Sequence, residues 1–432
     1  MKCRLDNLKV LSLYVLSFIL LFTPDFGHVS FFLNPSIIIL CSASFFAIIL
    51  NKRLISFIKH NHLLLLLTGI LCASFISIYI SIYAEQKIEY ILYFCFVLQI
   101  INFISIIIIL KDMGYSKQKM FAFIINCFLI QALIICLMYQ FRPLKLIANN
   151  LYFTNLNVKD ITPFLGIEKF RIYGITGDYT YATPIAMAYV ASVSLIIAVF
   201  YNKKRYYLNF ILLLLTSLLN GRTGVMIVFL AVIFIIIMYF INNVRRFNKT
   251  FLMVLFFGIF FMAFIMIVIS FSDSVWAVWV RSGFFEIKNL FMNKEKSGNL
   301  AELLDNMIFF PEGWHNIFGY GHSVFVENID FMGGKHSDIG YINDLFRGGL
   351  IYMILLYIPI FCFILGGIQK ETCNKKMYRI LKYISFIFII LSNYKGECMN
   401  SNTIFNTILY ICIVCGISTY TKDDSKAGKE LL

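Results

Sequence analysis

Residues 63–83 read LLLLLTGILCASFISIYISIY, and no charged side chain interrupts this run. At a rise of 1.5 Å per residue, a helix of this length covers about 31 Å, which matches the ~30 Å hydrocarbon core of a bilayer. Because lipid offers no partners for backbone N–H and C=O groups, the run predicts a helix that crosses a membrane.

Similar apolar runs recur along the whole chain. Of its 432 residues, 60% are hydrophobic and 14% are charged, whereas a soluble domain has about 25% charged residues. Twelve runs that we interpret as membrane spans lie at 8–26, 31–50, 62–83, 88–110, 119–140, 182–201, 206–220, 223–241, 250–271, 348–368, 378–394 and 404–420. The sequence therefore predicts an all-α, polytopic integral membrane protein with about 12 transmembrane helices, in a single membrane domain over residues 1–432.

The charges predict how this bundle is oriented. If the N-terminus is cytoplasmic and the runs alternate sides, 23 of the 37 basic residues but only 6 of the 23 acidic residues fall on the inner side. Every inner connection then carries at least three positive charges, in line with the positive-inside rule. We therefore expect both termini in the cytoplasm, and we attribute the net charge of +14 to membrane orientation rather than to nucleic-acid binding.

Two outer connections, roughly 141–181 and 272–347, are long and rich in aromatic and aliphatic residues. All three tryptophans lie in the second connection, and tryptophan prefers the membrane interface. Apolar residues at 300–308 follow the spacing of an amphipathic helix, and those at 284–291 do likewise. Such helices would either form a lid over an outward-facing cavity or merely pack on the ends of the spans.

The stretch TSLLNGRTGVM at 216–226 is the first candidate site. The run before it covers only about 22 Å, so the turn should lie below the outer surface, with Arg222 at the N-terminus of the next helix. Helix N-termini bind anions, Gly221 and Gly224 would let a ligand approach closely, and an arginine matches phosphate oxygens. The alternative is an arginine that snorkels to the interface or pairs with an acidic side chain.

A second candidate segment, RIYGITGDYTYATP at 171–184, leads into the sixth run. Its glycines and proline predict a turn that re-enters the membrane. Arg171 and Asp178 would then line the same cavity as Arg222. As a solvated charged loop, however, the segment would need no function.

The third candidate segment closes the second long connection and contains His336, Asp338 and Arg347. Ser337 or Asp338 is the predicted N-cap of a helix that enters the tenth run. His336 would then lie just before a helix N-terminus, which disfavours the imidazolium form and leaves a neutral imidazole suited to act as a general base. The alternatives are a plain surface histidine and metal binding by His322, His336 and Asp338, whose spacing matches no strong ligand signature.

Short motifs in these three segments resemble those of the O-antigen polymerase and ligase superfamily of bacterial inner membranes, and most of all those of Wzy-type polymerases. The matching stretches are Arg171-x-x-Gly174 with Pro184, NGRTG at 220–224, Asn316-x-x-Gly319-x-Gly321, and His336-Ser337 with Gly348-Gly349. The layout of twelve spans with two large periplasmic loops agrees with the resemblance.

This resemblance implies glycosyl transfer at the periplasmic face of the inner membrane. The enzyme would polymerise undecaprenyl-pyrophosphate-linked oligosaccharide repeat units into O-antigen or capsule-type polysaccharide. The expected base is His336 or Asp338. The expected residues for pyrophosphate or sugar binding are Arg222, Arg171, Gly221, Gly224, Asp178 and Arg347. Besides the lipid-linked oligosaccharide and the bilayer, a chain-length regulator is the implied partner, and no cofactor or metal is expected.

Three other readings of the sequence stay open. An O-antigen ligase, which transfers polymer to lipid A–core, needs the same pyrophosphate recognition and a base. A lipid-linked oligosaccharide flippase or other transporter would place charged residues along several spans, whereas here the polar groups crowd one face of the membrane. A structural partner in polysaccharide assembly would explain the loops but not a buried arginine at a helix start.

Overall fold

The computed structural model describes residues 2–24, 34–51, 53–60, 63–84, 90–153, 171–177, 181–242, 298–324, 335–366, 375–399 and 402–416, together with 278, 281–283, 285, 288, 289 and 292. Over these residues the chain forms helices and no strand. The helices whose bounds lie within these residues are α1 (Lys2–Phe22), α2 (Pro35–Leu50), α3 (Leu54–His60), α4 (Leu63–Tyr83), α5 (Tyr90–Asp112), α6 (Lys117–Gln140), α7 (Arg142–Phe153), α8 (Ala182–Tyr201), α9 (Lys204–Asn220), α10 (Arg222–Asn242), α11 (Gly298–Asp305), α12 (His315–Phe318), α13 (Gly340–Leu365), α14 (Lys375–Asn393) and α15 (Thr403–Gly416).

Eleven of the twelve predicted runs coincide with helices, and the ninth, 250–271, lies outside the described residues. Five helices are long and apolar enough to cross a membrane, judged by length and composition: α4, α6, α8, α13 and the Phe94–Asp112 part of α5. Helices α1, α2, α10 and α15 contain shorter apolar stretches. The chain is therefore all-α, with the apolar helices of a multi-pass membrane protein, and the count of twelve spans stays a prediction.

Helix α8 lies at the centre of the bundle. Its sequence, ATPIAMAYVASVSLIIAVFY, is apolar on every side and carries alanine or serine in each of its first three turns. A helix that is apolar all round is buried, and small residues let neighbouring backbones approach closely. Accordingly 94% of its membrane-length window is buried, and it packs against α6, α9, α10, α14 and α15.

Helix α13 is broken in the middle, at Gly349. This glycine has φ 67° and ψ −166°, a left-handed conformation that separates a buried polar half, 340–348, from an apolar half, 350–365. The loop after α12 fills the break, because Tyr320 N donates to the carbonyl of Phe346 at 2.6 Å. A backbone group freed by the break thus finds a partner from another segment, as burial in an apolar bundle requires.

The expected amphipathic helix at 300–308 is confirmed in part. Helix α11 ends at Asp305, and Leu303 and Met307 are buried against Ile342 and Phe346 in the polar half of α13. Ile308 lies beyond the helix and is 38% exposed. The apolar face of α11 therefore covers the half of α13 that carries the charged residues, while most of 284–291 lies outside the described residues.

The break in α13 gives a stability prediction. A Cβ on Gly349 would lie 2.1 Å from the Ile317 carbonyl oxygen, so Gly349→Ala should combine left-handed strain of about 1–2 kcal/mol with a backbone overlap that the loop must relieve. Gly114 also has a positive φ, of 77°, but a Cβ there meets nothing within 4 Å. Thermal unfolding of the purified protein in detergent should show a clearly larger drop in melting temperature for Gly349→Ala than for Gly114→Ala. Equal drops would contradict close packing of the Ile317 carbonyl against Gly349.

Candidate functional site

The start of α8 contacts the turn between α9 and α10 very closely. A Cβ on Gly221 would lie 2.8 Å from Pro184 Cγ, and one on Gly224 would lie 2.5 Å from the Pro184 carbonyl oxygen. Ser217 Oγ donates to that same carbonyl at 2.8 Å. The two glycines are therefore needed for packing, because a side chain at either position would push the turn away from α8. Their expected role in letting a ligand approach stays a prediction.

The segment 171–177 lies beside the same turn. Ile172 N donates to the carbonyl of Leu219 at 3.4 Å, so Arg171 lies next to the last turn of α9. Gln131 of α6 fixes the segment by donating to two of its carbonyl groups at 3.0 and 3.1 Å. The segment that carries Arg171 and the turn that carries Arg222 are thus neighbours in the fold.

Arg222 is the first residue of α10, as the sequence predicted. Helix α9 before it has 17 residues and is about 26 Å long, shorter than a ~30 Å hydrocarbon core. Arg222 Nη1 donates to Ser282 Oγ at 3.0 Å, and its guanidinium packs on Gly283. Because the first N–H groups of a helix have no partner within the helix, this position favours an anion.

A buried group of charges lies on α13 and the loop after α14. Arg347 Nη1 donates to Asp344 Oδ1 at 3.1 Å, and Arg347 Nη2 donates to both carboxylate oxygens of Glu397 at 3.0 Å. The side chains of Arg347 and Asp344 are 3% exposed and that of Glu397 is 15% exposed. One arginine thus holds two carboxylates from different segments in a nearly dry environment.

Polar neighbours complete this charged group. Tyr357 OH donates to Asp344 Oδ2 at 2.5 Å, and Asn393 Nδ2 donates to the Tyr357 hydroxyl. Asn393 Oδ1 accepts from Cys398 N at 2.8 Å, which ties the loop to the end of α14. Burial raises the pKa of the Cys398 thiol well above its usual range, so this cysteine is a packing residue and not a ready nucleophile.

Tyr181 connects the charged group to α8. Its hydroxyl donates to the carbonyl of Glu397 at 2.6 Å, and its ring packs on Gly396. The amide of Asn402 donates to the same Glu397 carbonyl at 2.5 Å. Because Tyr181 is the N-cap residue of α8, the loop 393–402 is anchored three residues before Pro184.

Three helices begin close together at this end of the bundle. Helix α8 begins beside Gly396, α10 begins beside Pro184, and α13 begins at Gly340, where a Cβ would lie 2.6 Å from the Gly396 carbonyl oxygen. Neither α8 nor α13 has a side-chain hydrogen bond at its N-cap. The dipole of each of these helix starts adds positive potential to that of Arg171 and Arg222, so the region can attract an anion.

The helix start near His336 differs from the prediction. Helix α13 begins at Gly340 with Ile339 as the N-cap, not Ser337 or Asp338. The reason is that the Ser337 hydroxyl is used elsewhere: it donates to the carbonyl of Met307 at 2.8 Å and accepts from Ile339 N at 3.2 Å. Asp338 is also engaged, by Lys395 Nζ at 3.6 Å.

His336 is half-buried and lies four residues before α13. No described residue forms a hydrogen bond or ion pair with its imidazole, which is therefore available to a ligand. His322, by contrast, is buried, and its Nδ1 lies 3.0 Å from the Ser323 carbonyl oxygen. Within the described ranges, no group of three His, Cys, Asp or Glu side chains is placed to hold a metal ion.

The fold thus joins most of the predicted site residues into two groups that share the start of α8. Arg171, Gly221, Arg222 and Gly224 lie on one side, and Asp338 and Arg347 lie on the side of the loop 393–402. Asp178 lies outside the described residues. Asp344 and Glu397 were not among the residues predicted from the sequence. A charged pair three residues apart in an otherwise apolar helix, Asp344 with Arg347, was a usable signal, because ionisable residues at membrane depth are expensive.

Comparison of the chain with family models, curated proteins and solved structures gave no significant match. The functional argument therefore depends on the residues and their geometry, together with the resemblance of the short motifs.

The buried charged group gives a second stability prediction. Arg347→Met would remove the arginine that pairs with the buried Asp344 carboxylate and the partly buried Glu397 carboxylate, and breaking a buried pair costs about 3–5 kcal/mol. The matched control is Arg53→Met, which removes a 2.7 Å ion pair with Asp112 whose side chains are 74% and 56% exposed; exposed pairs contribute only about 0–1 kcal/mol. Unfolding by SDS titration in mixed micelles should show a large decrease in the free energy of unfolding for Arg347→Met and little change for Arg53→Met. Similar small changes would mean that Arg347 does not hold the loop.

Proposed function

We propose that this chain is a glycosyltransferase of the bacterial cytoplasmic membrane. It polymerises undecaprenyl-pyrophosphate-linked oligosaccharide repeat units at the periplasmic face, into O-antigen or capsule-type polysaccharide. The observation that supports this most is the gathering of three helix N-termini with Arg171 and Arg222 at one end of an apolar bundle. A diphosphate on a lipid carrier stays at membrane depth, where such a positive site is useful.

The donor side of the reaction requires stabilisation of a leaving group. The acceptor hydroxyl oxygen attacks the anomeric carbon of the donor chain, the bond from that carbon to the phosphate oxygen breaks, and undecaprenyl pyrophosphate leaves with the bonding electrons. Negative charge therefore grows on a phosphate oxygen in the transition state. In this proposal Arg222 and the first N–H groups of α10 stabilise that charge, and Arg171 adds a second positive charge beside α9.

The acceptor side requires a base, because a sugar hydroxyl is too weak an acid to ionise alone. We assign this role to His336, whose imidazole has no described partner and can take the hydroxyl proton as the new bond forms. Asp338 is the weaker candidate because Lys395 pairs with its carboxylate. Charge and protons balance, since the imidazolium loses its proton to solvent after the product leaves.

Arg347 has a different role in this account from Arg222. It is already bound by two carboxylates, so a phosphate would have to displace Asp344 or Glu397. We therefore assign Arg347 to positioning the loop 393–402, which carries Lys395 and contacts Tyr181. Correct spacing between the two sides of the site depends on that loop.

This function can be tested in a strain that lacks the protein and is complemented with variants. The measurement is the size distribution of surface polysaccharide, which forms a ladder of chains with increasing numbers of repeat units. Arg222→Ala should lower polymer per protein about 100-fold or more, and His336→Ala should do likewise. Arg205→Ala is the matched control, because Arg205 lies at the opposite end of α9 and packs on Tyr206. It should keep the full ladder.

Each outcome of that experiment identifies a function. Core that carries a single repeat unit supports the polymerase. Bare core, with full-length polymer still attached to the lipid carrier, would instead indicate that the same site catalyses the ligase reaction. A full ladder from both variants at normal protein levels would reject the glycosyl-transfer mechanism and favour transport of lipid-linked oligosaccharide.

A further inference from the structure

Asn220, the last residue of α9, is fully buried, and neither its Oδ1 nor its Nδ2 has a hydrogen-bond partner among the described residues. Burying an amide without a hydrogen bond costs free energy, and the large majority of buried polar side-chain atoms in native structures are paired. At membrane depth, bulk water is also absent as a substitute partner. The buried carboxamide of Asn220 therefore has two hydrogen-bonding atoms that a group from outside the described chain can satisfy.

The neighbours of Asn220 define what kind of group that is. One turn earlier on the same face of α9, the Ser217 hydroxyl is used by the Pro184 carbonyl and the Thr216 hydroxyl by its own helix. Two residues later α10 begins at Arg222, and the first N–H groups of a helix have no partner within that helix. The carboxamide thus lies beside the positive start of α10, and the two neighbouring hydroxyl groups on α9 are already hydrogen-bonded.

Other buried asparagines show that this is unusual. Asn343 and Asn393 use both amide atoms in hydrogen bonds, and so does Asn402 at the start of α15. Over the described part of the chain, Asn406 shares with Asn220 the property that both amide atoms lack a partner. Asn406, however, lies within α15, one turn before Tyr410, which stacks on Phe103 of α5 at 4.5 Å. It provides a matched comparison in the first turn of α15, a helix start that the side chain of Asn402 already caps.

We propose that Asn220 is part of the binding site for the diphosphate of the lipid-linked donor. Its Nδ2 donates to a phosphate oxygen that Arg222 and the start of α10 also hold. A sugar diphosphate offers both oxygen acceptors and hydroxyl donors, so it can satisfy both amide atoms. The ligand takes the place of the neutral Ser282 hydroxyl on Arg222 Nη1, since a charged phosphate oxygen is the stronger acceptor. This inference rests on the proposed function.

The test measures binding of farnesyl pyrophosphate to the full-length chain in lipid nanodiscs. Asn220→Leu is nearly isosteric and removes the two unpartnered atoms, so it should raise the melting temperature without ligand and weaken binding at least ~10-fold. Asn406→Leu should raise the melting temperature equally and leave the affinity unchanged. Asn220→Asp keeps the shape, adds a negative charge, and should also weaken binding, which guards against a folding defect of the leucine variant.

The outcomes separate this inference from the proposed function. If the wild type binds and Arg222→Ala weakens binding, but neither Asn220 variant does, the role of Asn220 is wrong and the diphosphate site stands. If the wild type binds no farnesyl pyrophosphate, both ideas fail together. Weakened binding with Asn406→Leu as well would overturn the inference, because the effect would then follow from any change in the core.

Discussion

The packing of Pro184 against Gly221 and Gly224 is the contact on which the rest of the site depends. It fixes the start of the deeply buried helix α8 against the turn that carries Arg222. The two glycines allow helix backbones to meet where any side chain would separate them. Because Tyr181, three residues before Pro184, binds the loop 393–402, the same contact also sets the distance to the charged group on α13.

Buried charge is the second constraint on this fold. Asp344, Arg347 and Glu397 are expensive to bury, and an apolar replacement is often at least as stable. What the group provides is a defined connection: one arginine holds α13 to a loop that is 50 residues away in the sequence. The break at Gly349 also helps to form this connection, since it lets the polar half of α13 point in a different direction from the apolar half.

The sequence was a good guide to what local patterns determine. Apolar runs predicted eleven described helices, and the short run before NGRTG predicted that Arg222 begins a helix. The sequence was a poor guide to contacts between distant segments. It could not show that Glu397 reaches Arg347, or that a loop fills the break in α13. The N-cap prediction at Ser337 failed because its hydroxyl binds the carbonyl of Met307, a partner that no local pattern reveals. The run 250–271 and Asp178 lie outside the described residues, so the predictions for them stay open.

The central claim is that this end of the bundle transfers a sugar chain from a lipid diphosphate. The most direct measurement uses purified protein in proteoliposomes, supplied with the lipid-linked repeat unit that accumulates in the deletion strain. Mass spectrometry should show chains of two, three and more units on the carrier, with one undecaprenyl pyrophosphate released for each unit joined. Repeat units that remain single, with no release of undecaprenyl pyrophosphate by correctly folded wild-type protein, would contradict the account.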